Sequence, residues 1–186
     1  TAVHPDSPLQ GWRLVLRMLL QAPGRALPAE RAARSPAVQL AAWDDLLRLQ
    51  PPRTTLQAWL PRFEELRANH PNLHGITAVA ARMHLAGGSA EAARLAQAWV
   101  VDADGDPDAW LCRMQERLRR GLLPEACDDG MSAVQESVDG QAAIAAVIRI
   151  CEAEAPALAP GAVEGARSLA RQFQELAFDE PPGGRR

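Results

Sequence analysis

Four aspartates at alternate positions, Asp102, Asp104, Asp106 and Asp108 in "VDADGDPD", have the oxygen-rich spacing from which calcium loops are built. An EF-hand loop also needs a glycine sixth, for its sharp turn, and a bidentate glutamate twelfth. Counted from Asp102, the glycine is fourth (Gly105), the sixth residue is Pro107 and the twelfth is Arg113. Both defining positions fail. The stretch reads instead as a turn, which aspartate favours by bonding its own backbone. His70 and His74 stand four apart, a spacing at which a helix could offer two imidazoles to one metal ion. Pro71 lies between them, "NHPN" reads as a turn, and no carboxylate or cysteine completes a set nearby, so no metal is expected.

The remaining reactive side chains are equally scattered. Cys112, Cys127 and Cys151 are odd in number, lack C-x-x-C spacing and have apolar neighbours. They read as buried free thiols, which fits a reducing compartment such as the cytoplasm. The adjacent acids Asp44–Asp45, Glu64–Glu65 and Asp128–Asp129 point in different directions around a helix, as solvated faces rather than acid–base dyads. No G-x-S-x-G, phosphate-binding loop, dinucleotide fingerprint or H-E-x-x-H is present. No catalytic residue and no cofactor are expected, and the chain does not read as an enzyme.

Composition removes further classes. All 20 positive residues are arginine, the net charge is −3, and the only basic cluster is "RLRR" at 117–120. A phosphate-tracking stripe is missing, so nucleic acid is not an expected partner. No run of about 18 apolar residues exists, so no membrane-spanning helix is expected. The chain starts at Thr1 and ends in "PPGGRR", and is expected to be a segment of a longer protein.

The elements that must position these residues are helices. Apolar residues recur at three and four, as in Trp12, Val15, Leu16 and Leu19, and no alternating run bounded by hairpin turns appears. Proline and glycine divide the chain into helices expected near 7–21, 28–34, 37–49, 54–69, 73–86, 89–102, 107–120, 124–137, 141–154 and 161–177. Ser7, Ser89 and Asp106 are placed as N-caps, and Gly87 and Gly121 as left-handed terminators. Pro61 inside 54–69 should kink that helix or mark its start. Connections of a few residues imply antiparallel neighbours. The fold class is all-α, an array of about four to five antiparallel helix pairs in one domain, with Leu169, Phe173, Leu176 and Phe178 on a closing helix.

Residues 73–106 and 107–140 are two 34-residue copies of one pattern, aligning Gly87 with Gly121, Glu91 with Glu125, Ala92 with Ala126 and Val100 with Val134. Each is a helix, a glycine turn, a second helix with a small residue in its first turn, and a polar turn. One helical hairpin cannot bury its apolar face alone, so such units stack. The flanking segments 37–72 and 141–178 carry frayed versions, preceded by the helices of 7–34.

With its period of 34, "GGSAEAA" and "GLLPEAC" at the hairpin turn, Trp110, Ala133 and "DPDAW", the stretch 73–140 resembles the tetratricopeptide repeat family. It departs from the family pattern at Val79, Ala80, Met83, Arg113, Met114 and Arg117, at Trp99 in the late-alanine slot, and at Gly130, where a bulky apolar residue is usual. The resemblance implies a concave groove, lined by the first helix of each hairpin, that takes a peptide or partner helix. Carried over by position, that face holds His74, Thr77, Ala81 and His84, then Asp108, Leu111, Gln115, Leu118 and Arg119, extended by Arg149 and Glu152. Leu111 and Gln115 replace the polar donors with which some members clamp a terminal carboxylate. The implied role is a non-enzymatic interaction scaffold binding a protein or peptide; the alternative is an accessory or regulatory domain beside a catalytic one.

Overall fold

Proline sets several of the starts. Pro36, Pro107 and Pro124 occupy the first or second helical position, where a missing N–H costs nothing. The computed structural model describes residues 35–179, with no account of the side chains at 178 and 179. The helices expected at 7–21 and 28–34, and the cap at Ser7, lie outside this range, as does the side chain of Phe178. Within it are α1 (Pro36–Arg48), α2 (Arg53–Asn69), α3 (Ile76–Gly87), α4 (Ala92–Asp102), α5 (Pro107–Arg119), α6 (Leu123–Glu136), α7 (Gly140–Glu154) and α8 (Pro160–Asp179). Each lies within three residues of its expected bounds, and no strand occurs among the described residues. The fold is all-α, with helices packed on their sequence neighbours as in an array of helical hairpins. The chain forms two compact units meeting at Leu95 and Ala96, within α4, and each is described by itself.

In the first unit α1 and α2 both pack on α3. Trp43 of α1 meets Trp59 and Phe63 of α2 edge-on, with ring centroids 6.4 and 5.8 Å apart, the arrangement that ring quadrupoles prefer. Leu46, Leu56, Phe63 and Met83 complete a fully buried apolar set. α2 runs continuously through Pro61, which lies on its exposed face. The left-handed terminator of α3 is Gly88 (φ +66°), one residue after the expected Gly87, which is still helical. The correction has a packing cause: a β-carbon on Gly87 would lie 3.1 Å from Leu60 Cδ1, so glycine is there to let α2 approach. Arg53 Nε and Gln57 Nε2 of α2 donate to the Gly87 carbonyl at 3.1 and 2.9 Å, satisfying an acceptor the helix end leaves open.

In the second unit α5 and α6 form one antiparallel hairpin and α7 and α8 another, with α7 also against α5 and α6. Asp106 caps α5 as expected, its carboxylate accepting the Asp108 N–H at 3.0 Å. The aspartate-rich stretch is thus the connection into α5, further tied by Trp110 Nε1 donating to the Asp104 carbonyl. Gly121 ends the α5 region at φ +75°, the conformation expected of it. Asp139 caps α7 through the Ala142 N–H, a cap the sequence reading missed. The core joins Met114 and Leu118 of α5, Ala126 of α6, Ile144, Val147 and Cys151 of α7, and Ala166, Leu169 and Phe173 of α8. Gly130, in the slot where a bulky residue is usual, is explained by Phe173: a β-carbon there would lie 2.9 Å from Phe173 Cζ. The bulk has moved from α6 to α8.

Candidate partner-binding surface

The positions carried over from the repeat pattern divide by unit. In the first, His74 is exposed and Thr77 half-buried, but Ala81 is 0% and His84 6% exposed. Ala81 and His84 are therefore interior residues and leave the candidate surface, which corrects their placement in the groove. His84 Nε2 meets Glu64 Oε1 of α2, and Nδ1 meets Ser89 Oγ in the turn after α3, both at 2.9 Å. Arg67 grips the same glutamate through two nitrogens. Burial pushes the Glu64 carboxyl up, but the hydrogen bonds and charges of Arg67 and His84 bring it below its ordinary value.

This cluster has the residue types of a serine–histidine–carboxylate relay, yet its geometry is that of a helix stop. The Ser89 N–H bonds back to the His84 carbonyl at 2.9 Å, closing the wide turn that ends α3. Its hydroxyl accepts from the Glu91 N–H at 3.2 Å. The side-chain contact across such a turn is commonly apolar; here it is a hydrogen bond, and it fixes α2, α3 and the turn together.

In the second unit the carried-over face is more open. Asp108, Arg119, Arg149 and Glu152 are exposed, and Leu111 and Gln115 half-buried. Leu118 is the exception, at 0% exposure inside the core between α5 and its neighbours. It cannot serve as a surface anchor, because it belongs to the buried apolar cluster that α5 forms with the helices after it. Asp108, Leu111, Gln115 and Arg119 run along one side of α5 at spacings of three and four. Thirty-four residues after the first three, Ala142, Ala145 and Arg149 follow the same course on α7, with Glu152 next, and all four are exposed. Ala142 and Ala145 were missed because small residues carry no chemical signal; only the repeat offset could have found them.

Glu154 joins the two helices. It is 6% exposed and takes Arg119 Nε at 2.8 Å, Arg119 Nη2 at 2.7 Å and Gln115 Nε2 at 2.5 Å. Burial raises its carboxyl, and the hydrogen bonds from Arg119 and Gln115, with the arginine charge, bring it below the ordinary value. Behind the surface, Asp129 of α6 is 1% exposed and holds Arg113 and Arg117 of α5, with contacts of 2.6 and 2.8 Å. Arg113 also stacks over the Trp110 ring, 4.7 Å from its centroid. Asp129 is thus no part of a solvated pair: Asp128 is exposed and Asp129 buried. Among the described residues no three His, Cys, Asp or Glu side chains are grouped to hold a metal ion, and none of Cys112, Cys127 and Cys151 forms a disulfide. Comparisons with protein-family models, with curated proteins and with solved structures find no match.

Proposed function

We propose that this chain is a protein-interaction scaffold, a divergent relative of the tetratricopeptide arrays, whose second unit receives a peptide or partner helix along α5 and α7. One observation carries the reading. The side of α5 that holds exposed Asp108 and half-buried Leu111 and Gln115 recurs 34 residues later on α7 as Ala142, Ala145 and Arg149, all three exposed. Met114 and Leu118 of α5 and Ile144, Val147 and Cys151 of α7 lie in the core. Small residues on α7 let a partner backbone approach closely. Arg149 and Glu152 offer charged hydrogen bonds at the edge, where an arginine can fork onto a carboxylate. Glu154 holds α5 and α7 in fixed relation, so the surface is organised before a partner arrives, and ordering costs on binding are smaller.

The test is affinity capture followed by mass spectrometry, comparing the natural chain with Ala145→Arg combined with Arg149→Glu. Both positions are exposed, so the circular dichroism spectrum should not change. Proteins captured by the natural chain should be lost from the variant by tenfold or more. Equal capture of the same proteins by both would contradict the proposal.

A further inference from the structure

A second feature of the second unit lies between α7 and α8. Small residues face each other there, Cys151 of α7 and Ala170 of α8, and leave a hollow of about 410 Å³. That is within the range of small-ligand sites, about 300–1,000 Å³. Its rim is charged. Glu164, Arg167, Arg171 and Gln174 form a stripe along α8, and Glu152 stands on α7. Arg171 pairs with Glu164 at 2.5 Å, and both side chains are more than 60% exposed. A pair so exposed is weak and its guanidinium can be shared. Arg167 and Glu152 line the same hollow, yet their side chains have no ion pair or hydrogen bond among the described residues.

We propose that this hollow binds a small zwitterion of the amino acid or dipeptide class. The guanidinium of Arg167, with Arg171 beside it, takes the ligand carboxylate. Glu152 takes the ammonium group, the Gln174 amide donates to a carbonyl, and the Cys151–Ala170 floor receives a small apolar side chain. Charge selects this class over a simple anion. Two guanidiniums are balanced by two carboxylates, so a phosphate drawn to Arg167 would also face Glu152 and Glu164. A ligand with one charge of each sign satisfies both unpaired groups. The hollow shares Glu152 with the edge of the partner surface, whereas Arg167 and α8 take no part in that surface, so the Arg167 variant reports on the hollow alone.

The experiment is a nitrogen–proton correlation titration of the whole chain with L-alanyl-L-alanine, its N-acetyl form, its C-terminal amide and inorganic phosphate. The free dipeptide should give saturable shifts on α7 and α8, with binding at least tenfold weaker for either capped form and for phosphate. Arg167→Ala should weaken dipeptide binding at least tenfold, and Glu152→Gln should abolish the preference over the N-acetyl form. Both side chains are exposed, so spectra away from the hollow report that the fold is intact. Absence of saturable dipeptide shifts, phosphate binding as tight as the dipeptide, or an Arg167→Ala variant that binds normally would each overturn the proposal.

Discussion

Two neighbouring aspartates give a sharp test of how the α5–α6 hairpin is held. Asp129→Ala removes the one carboxylate shared by Arg113 and Arg117, whose side chains are only 11% and 24% exposed. Breaking a buried pair costs about 3–5 kcal/mol, because the remaining charge is left uncompensated. The low end applies here. Arg117 is partly solvated, and Arg113 keeps the Gln97 side-chain oxygen at 2.8 Å and the Trp110 ring. A loss of about 3 kcal/mol should lower Tm by roughly 6–12 °C in a chain of this length. Asp128→Ala, exposed and one residue away, should stay within about 0.5 kcal/mol of the natural chain. Thermal and urea unfolding followed by circular dichroism measure both. Equal stability of the two variants would refute the assignment of Asp129 as the hairpin's internal counter-ion.

Other consequences follow from particular contacts. Gly130→Ala gains about 1 kcal/mol of helix propensity but drives a β-carbon to 2.9 Å from Phe173 Cζ. Overpacking of about 1–3 kcal/mol should give net destabilisation, and the same change in a Phe173→Leu background should be neutral or stabilising by urea unfolding. Ala126→Leu should cost about 1–3 kcal/mol for the same reason, while Ala90→Leu, at an exposed position, should cost little. The Glu154 carboxyl is held below its ordinary value of 4.5, so its stabilisation is complete above that pH and disappears as pH falls through the lower folded-state value. Stability between pH 5 and pH 3 should therefore fall more steeply in the natural chain than in Glu154→Gln. Burial raises the Cys151 thiol to about 12, so iodoacetamide at pH 7.5 should spare Cys151 in the native chain and modify it in urea, as mass spectrometry of peptides would show.

The helices were legible because their signals are local: apolar spacing, proline at starts and glycine at stops. Asp106 could be read as a cap for the same reason. What sequence could not supply was which of two equivalent side chains faces inward. Asp128 and Asp129 are the same residue type, and only the rotation of α6 against α5 buries the second. Leu118 fell on the repeat face by position, yet its side chain is buried in the core shared with the following hairpin, while Arg119 beside it is exposed. Gly130 looked like a defect in the pattern until Phe173, more than 40 residues away, was seen to fill the space. Such compensation between distant helices leaves no trace in a local window. The exposed stripe on α7 was half legible: Arg149 and Glu152 announce themselves by charge, whereas Ala142 and Ala145 do so only by their place in the repeat.

The most direct test of a partner-binding role is site-specific photo-crosslinking in the whole chain. A benzophenone side chain at position 145 lies in the α7 stripe, and one at position 172 lies on an exposed part of α8. Irradiation in cell extract should join a defined partner to position 145 and not to position 172, with the adduct lost when Arg149→Glu is added. A partner joined to position 172 but not to position 145, or no adduct from either, would contradict the assignment of α5 and α7 as the binding surface.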